Sequence, residues 1–354
     1  MKVFTWLDIC QSLNTNNNII HFLKSIFRFL PIQGQVHFAN NIDLYDNNNQ
    51  LEQLAKHLDT ALLRPIVAMG GKTLAITLST YPRVEDSIEN LLSQDFDSAT
   101  QQQKELRRAC LQHDNHQYVV TKCWDFFYNN RPHGVSTADL EAVHIIPFAL
   151  GNFREDERRQ NADIWQCLYR YFPTIHNLFH HANEDVNRIH NVMMLAGYLH
   201  SEFGRLAFIL EETSISGRYW SKIFPNFRNT FLKSHIPEFV TIIKSHDTRY
   251  PTPNKFLLAV HAAIGNILHT TGQGEVIAKI MEDVRGSGSH ALVKDGSTDM
   301  EDLLSVTGLS LLTINPSHRS LARKEKHSSY TGPGLPGAES QPPPKQGLDN
   351  CLAR

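Results

Sequence analysis

His144 stands inside LEAVHIIPFAL, residues 140 to 150, an apolar run of strand-forming residues that Pro147 brings to a stop. An imidazole set there has an ordinary pKa near 6.5, so at cellular pH it is largely neutral and able to accept a proton. Further along, NVMMLAGYLHSEFG opens with Asn191 and carries His200 nine positions later. A neutral imidazole, an amide and a second, metal-binding imidazole can supply what phosphodiester hydrolysis needs. That reaction needs a base to deprotonate water, a group to keep the base oriented, and a cation to absorb charge on the phosphorane and the leaving oxygen.

Such side chains are useful only if the chain brings them together. The order is a strand holding His144, a long excursion, a second strand starting at Asn191, and a helix holding His200. A strand and a turn separate Asn191 from His200, with about one helical turn before the histidine, so a helix folding back onto the strands can join them. Leu195, Leu199 and Phe203 recur four apart as one buried stripe. His200 lies about 100° round from Leu199, at the stripe's edge, where a side chain can face a cleft.

The remaining pattern is mostly helical. LEQLAKHLDTALLRPI, residues 51 to 66, predicts a helix that ends before Pro65, and a charged helix follows around residues 98 to 112. GGKTLAITLSTYP, residues 70 to 82, predicts a short strand or extended loop, and YVVT at 118 to 121 is strand-like. NADIWQCLYRYFPTIHNLFH predicts a helix broken at Pro173, and HANEDVNRIH is polar and turn-rich. Residues 256 to 283 predict two helices split by a glycine-containing turn. From about residue 314 Ser, Pro, Gly and Lys dominate, which predicts a disordered tail.

Composition narrows the function classes. The chain has 354 residues, 41% of them hydrophobic, enough for one large domain or two ordinary ones. A net charge of -2 argues against a protein that lives on electrostatic attachment to nucleic acid, yet leaves room for an enzyme whose cleft touches a few phosphates. The cysteines, Cys10, Cys110, Cys123, Cys167 and Cys351, form no CxxC pair, which fits a reducing intracellular compartment, cytoplasm or nucleus. His21, Lys24 and Arg28 interrupt the apolar residues 19 to 31, so neither a membrane span nor a signal-peptide core is expected.

YVVTKCWD at 118 to 125, LEAVHIIPFAL at 140 to 150 and NVMMLAGYLHSEFG at 191 to 204 resemble the fungal HNH endonuclease domain proteins of the ββα-metal fold. LAKHLDTALLRPIVAMGGKT before them, with LLAVHAAIGNILHTTGQGE and KDGSTD after them, extends the resemblance over about residues 48 to 300. It implies a metal-dependent endonuclease acting on nucleic acid, DNA before RNA, with no membrane partner. It further implies His144 as general base, Asn191 as the group orienting it, and His200 as ligand of a divalent metal. Mg²⁺ suits so sparse a site, with Mn²⁺ and Zn²⁺ as alternatives.

The sequence departs from that family in two respects. Many HNH enzymes carry an acidic metal ligand just before the base, where this chain has Val143; Glu141, roughly 6 to 7 Å further along the same strand face, is the candidate replacement. A cysteine and a glycine commonly stand in place of Tyr118 and Lys122. Each site residue also has a plainer reading: His144 as a core histidine, Asn191 as a turn residue bonding nearby backbone, His200 as a helix-surface histidine. The rival function is accordingly a catalytically inactive HNH-fold binding or regulatory protein. The expected architecture is α+β, a mainly helical surround with a central ββα-metal motif and a disordered C-terminal tail. Its expected divisions are an N-terminal helical segment (1–47), a helical and extended lead-in (48–115), the nuclease domain (116–230), a C-terminal helical region (231–313) and the tail (314–354).

Overall fold

Ile20, Leu23 and Ile26 recur at three-residue steps and are buried, and the chain there coils into α1 (Asn17–Phe29), followed by α2 (Ile32–Asp43) and α3 (Asn48–Leu58). The computed structural model describes Leu7 and residues 17–44, 48–70, 94–151, 158–180, 185–242 and 245–286. All of these belong to one unit, Met1–Thr313. Apart from Gly70, the GGKTLAITLSTYP segment lies outside the described residues, as does the expected tail.

The helix at 51–66 does not end before Pro65. A π turn, Asp59–Leu63, widens the ladder and delivers Pro65 into the first turn of α4 (Arg64–Met69), where a missing N–H breaks no helical bond. The buried Arg64 bonds back to Asp59, Nε to Oδ2, at 2.7 Å across this turn.

After α5 (Gln94–His113), Asn115 and His116 turn the chain with φ of 55° and 56°. YVVT, expected as a strand, is a tight turn instead. Tyr118 N–H donates to the Cys123 carbonyl at 2.7 Å, and Lys122 N–H to the Tyr118 carbonyl at 2.8 Å. These bonds override the β-preference of Val119 and Val120 and force Lys122 to φ 62°, a conformation that favours glycine.

Next come β1 (Trp124–Asp125), parallel to β2 (Thr137–Ala138), and then β3 (Leu140–His144). The excursion holds α6 (Arg158–Tyr171), which gives way to a 3₁₀ turn at Pro173 as the proline predicts. The chain returns as β4 (Val192–Ala196), antiparallel to β3, pairing Leu140 with Ala196 and His144 with Val192. It continues directly into α7 (Gly197–Gly204). Leu195 lies within β4 rather than opening the helix, so the buried stripe of α7 is Leu199 and Phe203.

A three-stranded antiparallel sheet follows, made of β5 (Phe208–Glu212), β6 (Arg218–Ile223) and β7 (Phe239–Thr241), with the short α8 (Thr230–Lys233) between the last two. Then α9 (Lys255–Thr271) stops at Gly272, φ 75°, and α10 (Gln273–Gly286) starts, the split that the glycine-containing turn predicts. The long apolar α9 packs between β5 and α1 and joins the two halves of the core. Short sheets within a helical surround make the fold α+β. Among the described residues no helix is long and apolar enough to cross a membrane.

Candidate active site

Alternation along β3 sends Leu140, Ala142 and His144 to one face and Glu141 and Val143 to the other. Helix α5 and the residue after it are fastened to both strands of the hairpin: Arg107 Nη2 donates to the Leu140 carbonyl at 3.0 Å, and Asp114 Oδ2 accepts from Met194 N–H at 3.0 Å. His144 is buried, its ring 5.3 Å from that of Phe148. Its Nε2 lies 3.1 Å from Asn187 Oδ1, an oxygen that also accepts from Gln103 Nε2 at 2.9 Å.

Burial pulls the pKa of His144 down to about 4; the bond to Asn187 opposes the drop and the charge of His200 adds to it. The ring is therefore neutral at pH 7. An amide oxygen can only accept, so Nε2 carries the proton and Nδ1 the lone pair. That Nδ1 is buried and has no hydrogen-bond partner among the described residues.

Asn191, fully buried, does not touch the imidazole. Its Oδ1 accepts from Ile146 N–H at 2.9 Å, its Nδ2 donates to the carbonyls of Ile146 (3.0 Å) and Val186 (2.9 Å), and its own carbonyl accepts from Ile145 N–H at 2.8 Å. The amide thus staples the start of β4 to the segment directly after His144. Nothing local in the sequence demands this; it follows from the β3–β4 register, which sets His144 opposite Val192.

From α7, His200 Nδ1 hydrogen-bonds Glu141 Oε2. The bond from His200 lowers the Glu141 pKa more than burial raises it. Gly197 permits this arrangement, since a Cβ there would stand 2.8 Å from Glu141 Oε1. The sequence pattern sets His200 at the edge of the stripe, facing a cleft, but the structure leaves it only 7% exposed. Helix α7 is held from behind by His261 of α9, whose ring stacks 3.7 Å from that of Phe203 and whose Nε2 donates to the Phe203 carbonyl at 3.0 Å.

The other candidates are dispersed. Val143 is a core side chain, 1% exposed. Asp185, an alternative donor, is buried and paired with Arg188 at 2.6 Å. Cys110 and Cys167 are buried and Cys123 is half-buried, in keeping with small apolar side chains. Arg154 and the side chains of Arg158 and Arg159 lie outside the described residues. Among the described residues no group of three or more His, Cys, Asp and Glu side chains gathers to hold a metal. Sequence reasoning passed over Asn187 and Gln103. Asn187 stands four positions before Asn191, a spacing that a turn converts into two amides beside one strand end, whereas Gln103 in QQQKE carries no such signal.

Comparison with curated proteins and with solved structures yields no match. A family model described as HNH endonuclease matches residues 118–211, from the turn at Tyr118 through β3, β4 and α7 into β5. His144, Asn187, Asn191, Glu141 and His200 fall inside that span; Gln103 and His261 fall outside it. Over residues 118–211 the chain is similar to the HNH endonuclease family.

Proposed function

We propose that this protein is a metal-dependent endonuclease that hydrolyses phosphodiester bonds in nucleic acid, with DNA as the first substrate. The observation carrying this reading is the state of His144: a neutral ring, protonated on Nε2, with its lone pair on Nδ1, inside the span similar to the HNH endonuclease family. In that state Nδ1 accepts the proton of the attacking water, while Asn191 fixes the backbone that carries the ring. Glu141 and His200 would hold a divalent cation. Their chemistry fits one bound through few protein atoms: a half-exposed carboxylate with its pKa held down, beside an imidazole whose Nδ1 hydrogen-bonds it. Such an ion, Mg²⁺ first and Mn²⁺ or Zn²⁺ as alternatives, supplies charge stabilisation on the phosphorane and the leaving oxygen.

Incubating the full chain with single- and double-stranded DNA and with RNA, in Mg²⁺ or Mn²⁺ and then with chelator, tests the proposal. Cleavage abolished by chelator is the expected result. No cleavage with any of these substrates and metals overturns it in favour of a second reading, a module that keeps the HNH fold and binds without cutting. One observation favours that alternative: Val143 fills the position before His144, and no third donor joins Glu141 and His200 among the described residues.

A further inference from the structure

We infer that Asn187, held by Gln103, is the positioning residue of the base: it fixes which nitrogen of His144 carries the proton and leaves Nδ1 as the acceptor. The catalytic consequence rests on the nuclease reading; the tautomer itself does not.

The geometry leads there from three sides. First, the amide that contacts the ring is that of Asn187, at 3.1 Å from Nε2, while the Asn191 side chain bonds the backbone of Ile146 and Val186. Second, the Asn187 oxygen is itself fixed, because Gln103 Nε2 donates to it at 2.9 Å. With its oxygen accepting from Gln103, the Asn187 amide can turn its NH₂ toward the ring only if the Gln103 amide turns as well. In the orientation that both amides adopt, the imidazole presents N–H at Nε2. Third, Gln103 comes from α5, outside the matched span, and α5 also grips Leu140 through Arg107, while Asp114, directly after it, grips Met194 on the other strand of the hairpin. The alignment of the base thus depends on a helix lying ahead of the nuclease motif in sequence.

The consequence is a division of labour between two asparagines four residues apart. Asn191 sets where the backbone of the base lies, and Asn187 sets how its ring is protonated. An unaligned ring would spend part of its time with the proton on Nδ1, where it cannot act as a base. Asn187→Ala should then lower kcat by about 10- to 100-fold, less than the roughly 10²- to 10⁴-fold that a positioned general base contributes in full, and leave KM unchanged.

The test uses the full chain labelled with ¹⁵N-histidine, the His144 signals being identified by their loss in His144→Gln. Long-range ¹⁵N–¹H correlation at neutral pH should show His144 as the Nε2–H tautomer in the wild type and as a mixture in Asn187→Ala, with Gln103→Ala intermediate. Asn187→Asp, which keeps an acceptor of the same shape, should restore the Nε2–H tautomer and move the acid limb of kcat upward, because an anionic partner favours imidazolium. A wild-type ring protonated on Nδ1, or a tautomer unchanged in a folded Asn187→Ala, overturns the inference. Because the spectrum is read without substrate, a wild type that cuts nothing would sink the nuclease reading and leave the assignment of Asn187 to be decided by the tautomer alone.

Discussion

Glu141 of β3 and His200 of α7, 59 positions apart in the chain, share a hydrogen bond between Oε2 and Nδ1. That bond joins the first strand of the ββα unit to its helix and sets the carboxylate and the imidazole beside one another.

If the pair holds the cation, its two members should fail differently. Glu141→Gln keeps an oxygen near the ring but loses the charge, and should weaken Mn²⁺ binding by about 10- to 100-fold. His200→Ala should abolish binding detectable by calorimetry while lowering stability by no more than about 2 kcal/mol, because the half-exposed Glu141 can turn to water. Unchanged Mn²⁺ affinity in His200→Ala would remove it from the metal site.

Gly197→Ala tests the same site without deleting a donor. The added methyl would meet Glu141 Oε1 at 2.8 Å, so the carboxylate must swing away from His200. Mn²⁺ affinity should fall as in Glu141→Gln. Stability should hold or rise by up to about 1 kcal/mol, since alanine is the better helix former. Wild-type affinity would show that the Glu141–His200 contact is dispensable for metal.

Asn191→Ala should destabilise the fold by about 3 kcal/mol or more in urea unfolding, because it strands the N–H and carbonyl of Ile146 and the carbonyl of Val186 in the interior. Asn191→Asp should do no better, since it turns an oxygen toward two carbonyls. A loss below about 1 kcal/mol would mean that the hairpin holds its register without the staple.

Burial holds His144 and His261 neutral, with pKa values of about 4 and about 3 against an ordinary value near 6.5. Between pH 6.5 and those values the unfolded chain binds protons that the folded chain refuses, so stability rises with pH across this window. It should be complete above about pH 6.5 and be lost progressively below, each histidine contributing up to about 1.4 kcal/mol per pH unit. Urea unfolding at several pH values measures the slope. A folded His261→Gln variant with the wild-type slope would contradict the buried neutral ring.

His144→Ala should lower cleavage by roughly 10²- to 10⁴-fold and leave metal affinity near wild type, the converse of His200→Ala. Because burial lowers the pKa of the base, the wild-type rate should be flat from pH 6 to 8 and fall only as pH approaches about 4. Cleavage by His144→Ala equal to that of the wild type would falsify the assignment of the base.

The sequence by itself determined the elements of the ββα unit and their order, since strand alternation, Pro147 and the Leu199–Phe203 spacing are local signals that no distant contact needs to supply. It also singled out His144, Asn191, His200 and Glu141, because residue type and spacing along one strand or helix are readable in a line of letters. Two local readings failed for identifiable reasons. Val119 and Val120 prefer a strand, yet loop-closing bonds at Tyr118 and Lys122 make a turn. Pro65 predicts a stop, yet the π turn before it delivers the proline into a first helical turn where it costs nothing. The division of roles was decided only in three dimensions. That Asn191 grips backbone while Asn187 meets the ring, that Gln103 reaches them from α5, and that Glu141 bonds His200 are contacts between residues far apart in the chain. A hydrogen bond requires its partners at about 3 Å, and only the packing of α5 and α7 against the β3–β4 hairpin sets those separations.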